Sequence, residues 1–258
     1  MVRGKRGFKA GALGLSLAWL TACTTPAGEP GGGSVPDRLP LSFQARDKLG
    51  WEPVALPGKL RTAFRTQKHE GRESTLAESS GSASMLRQRL RIGPQQLGRL
   101  HFSWQAENLL PGADLSAQGQ GDSPTRLVLA FDGDRQRFSM RNAMLSELTR
   151  SLTGEDMPYA TLMYVWSNDL PVDTVIVHPR TDRVRKIVVE SGPGRLPQWL
   201  HYDRDVRADF EKAFGEPPGE LQALGIMTDS DNTRSSTRAW YGEIRLEAAP
   251  AASANGRD

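Results

Sequence analysis

The 258-residue chain has one cysteine, Cys23, so no disulfide can staple its fold internally. Its four histidines, His69, His101, His178 and His201, are scattered, and no His-Glu-x-x-His pair of metal ligands occurs. A Gly-x-Ser-x-Gly nucleophile elbow and a phosphate-binding glycine loop are also lacking, and no cysteine beyond position 23 could serve as a thiol nucleophile. Neither sign of charge dominates. Of the 33 basic residues, four (Arg3, Lys5, Arg6 and Lys9) lie in the first 22 residues, leaving 29 against 30 acidic ones. A near-neutral surface has no basic footprint for nucleic acid, and that partner class is set aside.

What is present begins with a leader. The basic residues from Arg3 to Lys9 precede an uncharged apolar run, Ala10 to Leu20, too short to cross a bilayer as a helix. Leu20, Thr21, Ala22 and Cys23 follow, in a pattern that resembles the bacterial lipobox. The resemblance implies cleavage after residue 22, diacylglycerol attached to the Cys23 thiol, and acylation of the new amino terminus. Several acyl chains on one residue anchor stably where one would be marginal. Thr24 follows the cysteine, and the aspartate that marks inner-membrane retention is lacking, so the expected location is the outer membrane, facing the periplasm.

Residues 23–36 read as lipidated cysteine and tether, carrying Pro26, Pro30, Pro36 and glycines 28 and 31–33 without apolar periodicity. As a flexible coil this tether reaches about 20 Å. Residues 37–247 suit one domain, and 248–258 form a small polar tail.

Within the domain, short runs of aliphatic and aromatic residues recur between turn signals. Leu100, Phe102 and Trp104 alternate with polar residues, as a strand with one buried face does; Leu127, Leu129 and Phe131 alternate less strictly. Further strands are expected at 39–43, 60–64, 85–90, 137–140, 161–166, 175–177, 184–190, 224–228 and 237–246. Two stretches carry helical stripes instead. One is 141–152, with Met144, Leu145, Leu148 and Leu152, ending at Gly154; the other is 199–214, with Trp199, Tyr202, Val206, Phe210 and Phe214, ending at Gly215. Each is expected to pack on a sheet or close one end of the fold. Asp203, Asp205, Asp209 and Glu211 argue against the second lying on anionic lipid. The expected fold class is all-β: a two-sheet, jelly-roll-like β-sandwich with two short amphipathic helices.

Three stretches carry a family resemblance: Met157 to Trp166; Thr181 to Arg185 with Val188 to Gly192; and Phe214 to Glu216 followed by Met227 to Thr233 and Ala239 to Ile244. Together they resemble the bacterial family of domain of unknown function 3047. The resemblance implies an exported, often lipid-anchored domain and transfers no activity or catalytic residue. The closing strand, Ala-Trp-Tyr-Gly-Glu-Ile-Arg-Leu from Ala239, is also similar to the ending of jelly-roll carbohydrate-binding modules, which implies a fold and not a function.

A sugar site needs aromatic faces flanked by polar groups. The candidate ligand-binding residues are Tyr164, Trp166, Arg183, Arg185, Glu190 and Tyr241. The same rings suit a core, since Leu162, Tyr164 and Trp166 share one strand face. In the last strand, strict alternation puts Trp240, Ile244 and Leu246 on one side and Tyr241, Glu243 and Arg245 on the other, making Tyr241 the surface residue. Asp229, Asp231 and Asn232 offer closely spaced oxygens for Ca2+, with Asp132 and Asp134 a weaker set, although neither completes a calcium loop and both suit turns. No other cofactor is implied. The function expected is a non-catalytic, lipid-anchored envelope domain that binds glycan or another envelope component. The alternative is a polysaccharide hydrolase pairing Glu190 with Asp229 or Glu243.

Overall fold

A computed structural model describes residues 41–43 and 50–249; the leader, Cys23, the tether and the tail from 250 onward lie outside the described residues. The elements run β1 (Leu41–Phe43), β2 (Trp51–Ala55), β3 (Ala63–His69), β4 (Arg72–Ser80), β5 (Ala83–Ile92), β6 (Leu97–Ala106), β7 (Ser123–Phe131), α1 (Met140–Thr153), β8 (Ala160–Ser167), β9 (Val175–Val177), β10 (Val184–Ser191), β11 (Leu200–Asp205), α2 (Val206–Phe214), β12 (Leu221–Asp229) and β13 (Ser236–Ala248). They form a jelly-roll-like sandwich of two sheets. The first has the order β11-β6-β13-β4-β3, with β1 also paired to β13; the second has the order β2-β5-β12-β7-β8-β10-β9. Pairing is antiparallel except between β8 and β10, whose parallel ladder spans residues 161–167 and 184–191.

Alternation explains most facings. In β6, Leu100, Phe102, Trp104 and Ala106 point into the core, where they meet Leu127, Leu129 and Phe131 of β7 and Leu224 and Ile226 of β12. Three strands were not expected from the sequence: β11 falls within the stretch 199–214 expected to be helical, and β2 and β4 have weak patterns for opposite reasons. Trp51–Ala55 is a partly exposed edge strand containing Pro53. Arg72–Ser80 is mostly small and polar, yet Ser74, Thr75 and Ser79 are buried. The turn Glu70-Gly71, both residues with positive φ, joins β3 to β4 as a two-residue hairpin.

Three expectations need correction. Residues 137–140 are no strand: Ser139 caps α1 by accepting a hydrogen bond from the Asn142 N–H (3.3 Å), and a 3-10 turn occupies Arg135–Arg137. The stretch 199–214 divides, its first part pairing with β6 from Leu200↔Trp104 to Asp205↔Arg99 before Asp205 caps α2 at the Ala208 N–H (2.9 Å). The apolar stripe of α1 also does not pack on a sheet. The buried residues of that helix are Asn142 and Ser146, while Met144, Leu148 and Leu152 face solvent. Gly154 and Gly215 take the left-handed C-cap positions expected of them.

The last strand holds the largest departure. Relative to β6, its register shifts between Tyr241 and Ile244, so both residues, three positions apart, point inward. Gly242 sits in this bulge because a Cβ there would strike the Ser103 hydroxyl. Strict alternation therefore fails, and Tyr241 belongs to the core while Trp240 lies on the outer face, stacked on His69 at 3.9 Å. The Tyr241 hydroxyl donates to the Met227 carbonyl (2.6 Å), lies 2.9 Å from Thr228 Oγ1 and accepts from the Arg126 N–H (3.3 Å).

Tyr241→Ala should therefore cost about 3–5 kcal/mol of stability, through lost aromatic burial, and Tyr241→Phe about 1–3 kcal/mol, through unpaired backbone groups. Urea unfolding of both variants checks this. A loss under about 1 kcal/mol for the alanine variant would contradict a core position.

Candidate functional site

Side chains on the outer face of the second sheet line a cleft of about 1270 Å3. Strand register sets its floor in cross-strand rows. Arg87, Gly225, Val128, Met163 and Lys186 follow one another from β5 to β10, and Met85, Met227 and Arg126 form a shorter row beside them. Gly225 keeps the middle of the floor low, since a Cβ there would come within 2.6 Å of Met85 Sδ and 3.0 Å of the Leu86 carbonyl. Leu145, Leu148 and Leu152 of α1 form part of the lining, as do Leu56 to Lys59 and Ala117 to Gly119. Among the described residues no Phe, Tyr or Trp belongs to this lining, and His178 supplies its one aromatic ring; its apolar part is aliphatic and methionine.

Ion pairs cross one part of the cleft. Arg87 binds Glu155 through both terminal nitrogens (2.6 and 2.9 Å) and Glu52 through Nε (2.7 Å). Arg89 reaches the same two carboxylates at 3.0 and 2.5 Å. Hydrogen bonds from Arg87 hold the Glu155 carboxyl down at about 2. Because both glutamates are about two-fifths exposed, water screens these pairs, and they position more than they stabilise.

Deeper groups are more strongly perturbed. Arg126 and Asp229 form a buried pair at 2.9 Å. Burial pushes the Asp229 carboxyl upward, the Arg126 charge opposes this, and the Asp122 carboxylate adds to it. Asp122 is held by the Asn232 amide (2.6 Å) and by the backbone and hydroxyl of Thr233 (2.7 Å each). Lys186 donates from Nζ to the Leu115 carbonyl (2.8 Å); burial, with Arg126 adding repulsion, lowers its ammonium to about 7. Burial likewise lowers His178 to about 4, and its Nδ1 accepts from the Arg180 N–H (3.2 Å).

Carboxylate oxygens of Asp122, Asp229 and Asp231 lie within 4.8 Å of one another, so Asp122 joins Asp229 and Asp231 of the expected metal set, while the Asn232 amide nitrogen donates to Asp122. Two cations already serve this cluster, Arg126 on Asp229 and Lys59 on Asp231.

The six candidate ligand residues lie outside this cleft. Tyr164 and Trp166 are fully buried in the core, where Tyr164 donates to Asp209 (2.8 Å) and Trp166 to the Gly192 carbonyl (3.0 Å). Tyr241 is buried between the sheets. Arg183 pairs with Glu216 at 2.9 Å, and Arg185 donates to the Ala213 carbonyl at 2.8 Å at the end of α2. Glu190 stands opposite Trp166 in the β8–β10 register and accepts from Tyr202 (3.1 Å) and Arg195 (3.0 Å). Its carboxylate is turned toward β11 of the first sheet while that of Asp229 lies in the cleft, so these two do not face one another as a hydrolytic pair. The cleft residues missed by the sequence reading left two signals. Arg87, Arg89 and Arg91 alternate along one strand, and Lys186 directly precedes the apolar run Ile187, Val188 and Val189 in another.

An aromatic cluster lies on the outer face of the first sheet. Trp199 stands 6.2 Å from His69 in the His69–Trp240 stack, Arg72 lies 5.4 Å from the Trp199 ring centre, and among the described residues the ring nitrogens Trp199 Nε1 and Trp240 Nε1 have no hydrogen-bond partner, while His69 Nε2 has only the Glu70 carboxylate nearby, at 3.8 Å.

Residues 49–245 match the family described as protein of unknown function (DUF3047), and the chain belongs to that family. No curated protein matches the chain. Among solved structures, it has distant similarity to an endoglucanase, cel12A, from Rhodothermus marinus, at 10% identity and a TM-score of 0.45 over 82% of this chain and 100% of that one. The xyloglucanase domain of NopAA, an effector from Sinorhizobium fredii in complex with cellobiose, has 8% identity and a TM-score of 0.42 over 81% and 98% of the two chains. A low-affinity xylan-binding module from Roseburia intestinalis has 11% identity and a TM-score of 0.33 over 82% and 97%.

The Lys186 site has a pH consequence. Its amine ionises near 10.5 when unfolded but near 7 in the fold, so between these values the unfolded chain binds more protons and stability falls as pH drops. Lys186→Met should raise stability at pH 7 and flatten its rise between about pH 7 and 10. Urea unfolding at both ends of that range checks it; an unchanged slope would show that Lys186 is not buried as an amine.

Proposed function

We propose that this member of the DUF3047 family is a lipid-anchored protein of the bacterial envelope, held by Cys23 at the outer membrane facing the periplasm. Its β-sandwich acts as a non-catalytic module that binds an envelope glycan, and the ligand lies in the cleft over the second sheet. The observation that carries this reading is the cleft itself. At about 1270 Å3, it exceeds the roughly 300–1,000 Å3 of small-molecule pockets and suits an elongated ligand. Its planar polar groups, Arg87, Arg89, Glu52 and Glu155, are fixed by one another and able to meet hydroxyls, while Met85, Met163 and Met227 offer adaptable apolar contact to sugar C–H faces. Binding is favoured over hydrolysis because Glu52, Glu155, Asp229 and Asp231 are each already paired with Arg or Lys.

A second reading puts the sugar on the first sheet, at Trp199, Trp240 and His69, and is favoured by the two indole nitrogens, which have no hydrogen-bond partner among the described residues. Calorimetric titration with a glycan picked from an array separates the two. The cleft predicts that Arg89→Ala, a change at a half-exposed side chain, weakens binding about tenfold without lowering the melting temperature, and that Trp199→Ala leaves affinity unchanged. The opposite pattern moves the ligand to the first sheet, and release of reducing ends would replace binding by hydrolysis. Anchoring has its own test: metabolic acyl labelling should be lost in Cys23→Ser, and labelling that persists would remove the anchor from the account.

A further inference from the structure

Sulfur is confined to one side of the domain. The six methionines among the described residues are Met85, Met140, Met144, Met157, Met163 and Met227, and none of them lies in the core between the sheets, where the large side chains are aromatic and aliphatic. Met85, Met157, Met163 and Met227 line the cleft, and Met140 and Met144 stand exposed on α1. A thioether is a weak hydrogen-bond acceptor, but it takes up an oxygen atom to become a polar sulfoxide. What oxidation does at each position depends on the donors that face its sulfur.

Met163 faces a cation with unused donors. Arg126 stands opposite Val165 and Met163 opposite Val128 in the β7–β8 ladder, so the two side chains are diagonal neighbours on one face of the sheet. Arg126 is 4% exposed and uses Nη2 on the Gly121 carbonyl and on Asp229 Oδ2 (2.9 Å). Its Nη1 has a single contact, Met163 Sδ at 4.0 Å, and its Nε has no partner among the described residues. A buried charged donor served by so weak an acceptor is costly. An oxygen bonded to Sδ on the side of Nη1 falls within hydrogen-bond reach of the guanidinium, with no shift of either strand.

We propose that Met163 is an oxidation site in the floor of the cleft: hydrogen peroxide transfers one oxygen atom to Sδ, and the sulfoxide oxygen accepts a hydrogen bond from the Arg126 guanidinium. The S–O bond forms as the O–O bond of the peroxide breaks, and the sulfur is oxidised by two electrons. The departing hydroxide takes the proton left on the transferred oxygen and leaves as water. The floor then presents a pinned polar group where Met163 offered an apolar one. This chemistry does not depend on the ligand proposed above.

The test uses the chain from residue 23 onward with Cys23→Ser and with Met85→Leu, Met140→Leu, Met144→Leu, Met157→Leu and Met227→Leu, changes that nearly conserve volume and leave Met163 as the thioether of the domain. Hydrogen peroxide is added until the mass shows one added oxygen. The adduct should melt about 2–4 °C above the untreated chain, as a new hydrogen bond to a buried cation requires. The reciprocal chain that keeps only Met144, 68% exposed, should gain the same mass with no change in melting. In the chain that keeps all six methionines, peptide mapping should find the sulfoxide at Met163, and the shift on treatment should exceed that of Met163→Leu by the same margin. An unchanged or lower melting temperature for the Met163 adduct, as when water already serves Nη1 and Nε, would overturn the proposal. So would a Met163 left unoxidised while Met144 reacts. The effect of Arg89→Ala on glycan binding bears on the ligand of the cleft and leaves this result standing.

Discussion

In a regular antiparallel ladder the Arg126 N–H and the Met227 carbonyl, residues paired in register on β7 and β12, would answer each other's hydrogen-bonding needs. Here the Tyr241 hydroxyl, arriving from the opposite sheet, accepts from the first and donates to the second, and beside this point the β7–β12 register shifts between Met227 and Asp229. One phenol thus fastens the centre of the first sheet to the centre of the second and satisfies backbone groups that a bulge would otherwise leave unpaired. The two residues it touches through their backbones, Arg126 and Met227, carry side chains on the far face of the sheet, in the floor of the cleft. Core and cleft are therefore two sides of one structural decision.

That decision assigns the aromatic rings. A sandwich of this size needs large side chains between its sheets, and Trp104, Tyr164, Trp166 and Tyr241 fill that role. The cleft is left with methionine, aliphatic and charged residues, which suit an extended, conformationally variable ligand better than a single stacked sugar ring. The buried charges under it, Arg126, Asp229 and Lys186, are costly to desolvate, and concentrating that cost beneath one surface is characteristic of functional sites.

Much of the fold was legible in the sequence. The inward alternation of Leu100, Phe102 and Trp104, the C-cap glycines Gly154 and Gly215, and the two-sheet class all follow from local periodicity, which the sandwich respects. What was not legible depends on tertiary contact. The bulge around Gly242 reverses the facing of Tyr241 and Trp240, and its cause is Ser103 on a strand more than a hundred residues earlier. The helical stripe of α1 was correctly seen but wrongly aimed, because its orientation is set by Asn142 bonding to Thr181 and Asp182. The cleft residues were invisible for a related reason: Arg87, Gly225, Val128, Met163 and Lys186 become neighbours only through strand order.

The central claim is that the outer face of the second sheet, and not that of the first, receives the ligand. Amide hydrogen exchange with and without bound glycan tests it most directly, because the segments bordering the two faces are separate in sequence. The account predicts slowed exchange in residues 55–60, 113–121 and 153–158, which border the cleft, with no change in the 69–72 hairpin or in 192–199. Protection confined to those last two segments would contradict it and transfer the site to Trp199, Trp240 and His69.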